Sequence, residues 1–410
     1  MLFSAFKHSN YRYFFLATII SNIGTWSHRV AQDWLTLELT GSAKSLGLIV
    51  AAQFVPGIVF AIYGGVLADR YDQKRILFWC NFAGFLVATA TGILVALGLI
   101  TFQLLLIAAF LLGIISAIDG PVRQSYYVLL VGEKDLPNAL SWNQVNLNAG
   151  RLIGPITAGL LIQFLGISPS FLLNGLSYII AVALLGTIDI ASYYPAHDLA
   201  ASEAKVTFFE SIRYLKENRT VLIPIATVSL VAMVGQDMQM TSALMARKVF
   251  DVQPASFGLL GSVIALGAIA GSIFVARSRE TIDITFLGRR TLYMGGTWIL
   301  VAMAPNYPTY ALTLFFAGYF AMGVNITGNM SIRTYADPRH YGRIWGIYIS
   351  VWLAAIATGG PILGWISDTF SIRSAIFFGA FITLFISIMV QIKAKKIRLK
   401  ASEGSSVDTL

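Results

Sequence analysis

The sequence of 410 residues predicts an all-α membrane protein of twelve transmembrane helices in two six-helix halves. Three observations predict it. Hydrophobic residues make up 56% of the chain and charged residues only 12%, about half the charged share of a soluble globular protein. Twelve apolar stretches long enough to cross a bilayer fall near 12–36, 43–68, 76–98, 102–126, 138–163, 169–190, 220–244, 254–276, 288–304, 309–332, 342–366 and 371–392. The chain also echoes itself. Ser45-Leu46-Gly47-Leu48 returns as Ser256-Phe257-Gly258-Leu259, Gly65 to Arg70 aligns with Ser272 to Arg277, and Gly154-Pro155 returns as Gly360-Pro361, at offsets of 211, 207 and 206. Three echoes in one order at nearly one spacing indicate a duplicated unit. The expected bodies are an N-terminal bundle at 1–190, a cytoplasmic linker at 191–219, a C-terminal bundle at 220–393 and a cytoplasmic tail at 394–410.

Basic residues orient the spans. Of the 29 Lys and Arg, 23 fall at the N-terminus, in alternate loops and in the C-terminal tail, against Lys44, Arg247, Lys248 and Arg373 on the other side. The positive-inside rule therefore puts both termini in the cytoplasm of a bacterial cell, with the chain in its cytoplasmic membrane. The net charge of +9 follows from this topology. Its expected partner is a lipid bilayer, and no nucleic acid is implied. Lys7 and Arg12 precede an apolar run that exceeds signal length and has no small-residue cleavage site, so the first helix is expected to remain.

Each element carries its own signal. In the first helix Asn22, Trp26, Arg29 and Asp33 recur at i, i+4, i+7 and i+11, one stripe facing either a water-filled cavity or other helices; Arg29 and Asp33 also stand at a spacing that allows mutual neutralisation. The second ends in the mixed-charge loop Gly65 to Arg75, which holds Asp69, Arg70, Lys74 and Arg75. The third carries the single cysteine, Cys80. The fourth closes on Asp119-Gly120-Pro121-Val122-Arg123, where Gly-Pro predicts a kink. On the fifth, Gln144, Asn148 and Arg151 share a face. Arg151 has no acid within a turn, so it needs a carboxylate on another helix or an anionic ligand. Gly150, Gly154, Pro155 and Gly159 beside it supply small residues for close helix approach. The sixth is read from apolar length alone.

The linker follows, with Phe208, Phe209, Ile212 and Leu215 on one face of an amphipathic helix expected at the cytoplasmic interface. The seventh span places Met233, Asp237 and Thr241 on one stripe. Asn325 and Asn329 on the tenth, with Tyr348 and Trp352 on the eleventh, are expected to complete a polar and aromatic wall; the eighth, ninth and twelfth rest on apolar length. The tail after Lys400 reads as disordered.

The order Gly-x-x-x-Asp-Arg-x-x-x-Lys-Arg over Gly65 to Arg75 resembles the signature loop between helices two and three of major facilitator superfamily transporters, with Asp72 where that motif usually has Gly. The run through Gly150, Gly154, Pro155 and Gly159 resembles the fifth-helix motif of proton-coupled drug antiporters. Arg29 to Trp34, Asp119 to Gln124 and Arg151 to Pro155 are similar to the bacterial branch that includes enterobactin exporters and drug-efflux proteins. The resemblance implies a major facilitator fold, and a cytoplasmic gate of Gly65, Asp69, Arg70, Lys74 and Arg75 with Asp119 and Arg123 near it. It also implies a binding site near the midplane.

Four scattered histidines give no zinc spacing, and no phosphate-binding glycine loop with a lysine occurs. No enzyme, metal or cofactor is therefore expected. His28 is read as a packing residue turned away from Arg29. The sequence predicts a monomeric secondary transporter exporting an amphipathic small molecule in exchange for protons. Asp237 is the first choice of proton carrier, since Asp33 and Asp119 each have an arginine four residues away, and those two follow. An uptake permease or uniporter is the alternative within transport; a non-transporting membrane receptor or partner-binding protein is the alternative of another class.

Overall fold

The computed structural model describes residues 3–189, 193–194, 208–235, 238–278 and 283–407. The helices are α1 (Ser9–Thr40), α2 (Ala43–Arg70), α3 (Gln73–Ala96), α4 (Phe102–Leu165), α5 (Ser168–Gly186), α6 (Phe208–Glu217), α7 (Arg219–Gly235), α8 (Met238–Leu244), α9 (Pro254–Arg277), α10 (Ile284–Met303), α11 (Tyr307–Tyr335), α12 (Tyr341–Thr369) and α13 (Ile372–Val407). Among the described residues there is no strand. Short links join the helices because their ends are capped locally. Gly41 takes φ 62° to end α1, and the next residue, Ser42, accepts from the Ser45 amide to begin α2. Asp72, Thr101, Asp283 and Asn306 cap α3, α4, α10 and α11 in the same way, each satisfying an amide that helix geometry leaves orphaned.

Among the described residues nine helical stretches are long and apolar enough to cross a membrane. One of them, α4, is 64 residues long and leaves helical geometry at Gly132 (φ 70°, ψ 169°), so it holds two spans. Two more, α1 and α10, have the length but carry Arg29 with Asp33 and Arg289 with Arg290. Together these account for the twelve expected spans. Phe381 at 71% exposed and Trp79 at 63% point outward, which a bilayer favours and water does not.

The chain forms two compact units, one of Met1–Ala201 with Ser242–Ser262 and one of Ser202–Thr241 with Val263–Leu410. The stretch Ser242–Ser262 thus packs with the first unit rather than with the expected second half. In the first unit Tyr11, Phe14, Tyr126, Tyr127 and Leu130 form a core at one end, and Tyr127 Oη donates to Asn143 Oδ1 at 2.8 Å. In the second, Val221, Ile225 and Val228 pack on Ile332, Ile344 and Tyr348.

Several expectations change. Helix α4 continues through Pro121 and leaves helical geometry at Gly132, inside the interval between the spans expected at 102–126 and 138–163. The tail is helical to Val407: Lys393 to Ala401 contains no breaker and is rich in Lys, Ala, Arg and Leu, all good helix formers. Leu215 of α6 is buried against Val221, Ile332 and Ile344, so this part of the amphipathic face is covered by protein rather than by lipid. Tyr214 of the same helix stacks on His340 with centroids 4.4 Å apart, and its hydroxyl accepts from the Asp337 amide at 3.1 Å. Beside it, hydrogen bonds from the Arg339 side chain and amide hold the Asp337 carboxyl down at about 2. Asp237 and residues 195–207 of the linker lie outside the described residues.

Candidate functional site: the polar interior of the bundles

In the first unit α1 and the second span of α4 approach closely. A methyl on Gly154 would lie 2.5 Å from Trp26 Cβ and 3.0 Å from the Ile23 carbonyl oxygen. One on Gly150 would lie 3.0 Å from Asn22 Cβ and from Trp26 Cδ1. The glycines thus seat the Trp26 indole, and two cations share it: the guanidinium carbons of Arg29 and Arg151 stand 5.2 and 5.5 Å from the ring centre. Arg151 is half-buried and has no hydrogen bond or ion pair among the described residues. Asn22 Nδ2 donates to Asn146 Oδ1 at 2.9 Å, and Asn146 Nδ2 donates to Thr18 Oγ1 at 2.6 Å. This relay fixes the register of the two helices with side-chain bonds that lipid cannot compete for.

A cavity of about 30 Å³ opens beside this seam, lined by Thr25, His28, Arg29, Gln32, Gln53, Ser116, Asn174 and Tyr178. That volume holds one or two waters. Gln53 Nε2 donates to Gln32 Oε1 at 2.7 Å. His28 Nδ1 lies 3.2 Å from Asn174 Nδ2 and the ring meets Phe171 edge-on, while Nε2 has no partner. The second unit has a smaller cavity of about 10 Å³, with Val228, Met294, Asn325 and Trp352 in its wall. Asn329 Nδ2 donates to Asn325 Oδ1 at 3.1 Å, whereas Asn329 Oδ1 and Trp352 Nε1 are buried without a partner. Buried polar groups at this density are uncommon inside apolar bundles, where a core satisfies its polar atoms.

The charged loop is differently disposed. Asp69 and Arg70 are exposed and make no hydrogen bond or ion pair among the described residues. Lys74 Nζ donates to the Ile188 carbonyl at 2.7 Å, and Arg75 meets Asp72 at 3.5 Å. Arg123 grips Asp119 with two bonds of 2.7 and 2.9 Å and lies over Phe14. Within the first unit Arg247, on a π-helical turn at Met245–Val249, sits 4.9 Å from the Trp34 ring centre, and Trp34 stacks on Phe257.

The family model described as transmembrane secretion effector matches residues 2–409. The chain belongs to this family of major facilitator transporters. Its similarity to the staphyloferrin A transporter of Staphylococcus aureus is 22% identity, covering 96% of this chain and 98% of that one. The multidrug efflux pump Tap of Mycobacterium tuberculosis is 22% identical over 86% of this chain and 85% of its own. The fold is shared with the nucleoside transporter NupG (TM-score 0.73, 12% identity, 93% and 98% covered). It is also shared with a bacterial homologue of the human lysosomal transporter Spinster (TM-score 0.71, 16% identity, 94% and 95% covered).

For a major facilitator transporter the expected site residues divide clearly. Trp26, Arg29 and Arg151 come together, with Gly150 and Gly154 behind them. Asn22 is engaged by Asn146 instead of facing open space, and Asn148 Nδ2 turns back to the Gln144 carbonyl at 2.9 Å, with Gln144 exposed. Asp33 is buried. Tyr348, expected in the wall, is instead only 2% exposed within the core around Val228 and Ile344. Met233 is half-buried, and a methyl on Gly359 would strike its carbonyl. That contact mirrors Gly154 on Trp26, since Trp26 and Met233 are 207 residues apart. Gly65 has open space around it, and Gly64 makes the close approach, to the Ala117 carbonyl at 3.0 Å. Gly159 packs on Pro254 and Ala255.

Sequence reasoning missed His28, Gln32, Gln53, Asn174 and Tyr178. His28 shares the cavity with Arg29 rather than turning from it, because the polar surface of α1 spans two adjacent stripes. Thr25, Arg29 and Gln32, at i, i+4 and i+7, carried that signal. Arg290, counted as a cytoplasmic charge, is only 5% exposed and lies 4.4 Å from the Phe274 ring centre and 5.1 Å from that of Phe286.

Proposed function

We propose that the chain exports an amphipathic small molecule across the bacterial cytoplasmic membrane by proton antiport, as a monomer with both termini in the cytoplasm. The observation that carries this reading is the polar interior of the first unit: Arg29, Gln32, Gln53 and Asn174 around a water-sized cavity in an apolar bundle. Such a lining offers a solute hydrogen bonds at membrane depth. The direction is supported by the family's description and by relatives named as efflux proteins. Proton coupling needs an acid that loads and releases a proton, and Asp237 is the first choice, followed by Asp33; both oxygens of Asp119 are held by Arg123. Alternating access would expose the cavity to each side in turn, with Asp69, Arg70, Lys74 and Arg75 closing the cytoplasmic face.

The test is flux into everted membrane vesicles energised with an inward-acid gradient, using a panel of drugs and siderophores. Export by antiport predicts uphill accumulation that collapses with the gradient, and loss of uphill but not downhill exchange in Asp237→Asn. Accumulation only in right-side-out vesicles would replace export with uptake.

A further inference from the structure

We propose that Trp26, Arg29 and Arg151 form an anion site, which takes a substrate whose carboxylate or comparable acidic group adjoins a flat apolar portion. The inference rests on the transport reading above and names the class of molecule carried.

Arg151 lies near the middle of the second span of α4, where a cation is costly unless something answers its charge. α4 offers no acid within a turn of it, and no described residue bonds to it. What it has is the face of Trp26 at 5.5 Å, a weak cation–π contact compared with an ion pair. Arg29 sits on the same indole at 5.2 Å, so a second positive charge is held within electrostatic reach of the first. Two guanidinium groups around one ring repel each other, so the shared indole alone does not account for Arg151.

The pieces fit an anionic ligand instead. A guanidinium fork matches a carboxylate with two parallel bonds, and the indole supplies a rigid apolar face beside it. Gly150 and Gly154 keep that side chain in place, since a methyl on Gly150 would meet the ring at Cδ1 and one on Gly154 would strike Trp26 Cβ. Phe54, whose ring centre is 5.8 Å from the Arg29 guanidinium, extends the apolar surface. A cation would meet two like charges here, and a neutral molecule would leave the charge of Arg151 unanswered.

Full-length protein in lipid nanodiscs is tested by equilibrium dialysis with three probes of one shape, 2-naphthoate, its neutral amide and the cationic 2-naphthylmethylamine. The expected result is naphthoate binding roughly tenfold or more tighter than either other probe. Arg151→Met erases that preference, with folding of the variant checked by its melting temperature in the nanodisc. Arg151→Lys keeps the charge but loses the fork, and retains a partial preference. If Arg151→Met gives no folded protein, Arg151→Lys carries the test, and unchanged naphthoate affinity in it overturns the site. Equal binding of the three probes by the unaltered protein, or naphthoate affinity untouched by Arg151→Met, also overturns it. Vesicle flux separates the two readings. Arg151-dependent naphthoate binding without flux keeps the anion site and removes the exporter; proton-driven flux of amide or amine at full rate in Arg151→Met keeps the exporter and removes the anion site.

Discussion

The ion pair between Asp119 and Arg123 is bidentate, and both side chains are about four-fifths shielded. Removing one partner of such a pair strands the other's charge, at a cost of about 3 kcal/mol. Arg123→Met is therefore expected to lower the melting temperature in detergent by several degrees, and adding Asp119→Asn to restore most of it. If the double variant is as unstable as the single one, packing of Arg123 over Phe14 dominates, and the charge pair is incidental. Asp69 presents the opposite case. It is exposed and makes no bond among the described residues, so Asp69→Asn is expected to leave melting unchanged while depressing flux strongly. Normal flux at normal expression would dismiss Asp69 from the gate.

For the helices, small residues decide contact. Gly154→Ala places a methyl against Trp26 and the Ile23 carbonyl, which forces α1 from α4 at about 1–3 kcal/mol. Gly65→Ala meets nothing within 4 Å, and is expected to be silent in the same melting assay. Comparable losses for both would mean that the seam is not set by Gly154. Helix α6 is tied down through Tyr214, so Tyr214→Ala is expected to increase proteolytic nicking within Phe208–Glu217, and Tyr214→Phe, which keeps the stack on His340, to do so only slightly. The Asp337–Arg339 pair beside that stack is pH-dependent. The Asp337 carboxyl sits at about 2 against its ordinary 3.8, so its stabilising effect is complete above the ordinary value and disappears as pH falls through the lower one. Acid-stable protease digestion is expected to be flat from pH 7 to about 5 and to rise in α6 only below about pH 4. A rise already at pH 6 would exclude the Asp337–Arg339 pair as its cause.

Across the whole molecule, the elements with a one-dimensional signal were legible. Apolar length located ten spans, with α1 and α10 read beside them despite their charged residues, and the echo of Gly154-Pro155 at Gly360-Pro361 indicated the duplication. What depends on four helices meeting was not legible: Gln53 comes from α2 and Asn174 from α5, and no spacing on α1 announces either. The burial of Arg290 was not legible from charge counting, because Phe286 shields it from one turn back on α10 and Phe274 from α9. The break at Gly132 falls between the spans expected at 102–126 and 138–163, so its place was legible, whereas the glycine that makes it was not singled out. Orientation remains a matter for labelling. With Cys80→Ser as background, cysteines at Asn306 and Ser371 are expected to react with an impermeant thiol reagent on intact cells, and one at Lys134 only after lysis. Labelling of position 134 on intact cells would invert the topology.

The stretch Ser242–Ser262 joins the first unit partly through backbone, beside the contacts of Trp34 with Phe257 and Arg247. Gly258 lies against the Pro155 carbonyl, Gly159 against Pro254, and Ser262 Oγ donates to the Leu152 carbonyl at 2.5 Å. Glycine and carbonyl groups have no rotamers, so these backbone contacts freeze no side-chain entropy when they form. A seam made wholly of long side chains would have to fix many torsions to close; this part of the seam fixes few.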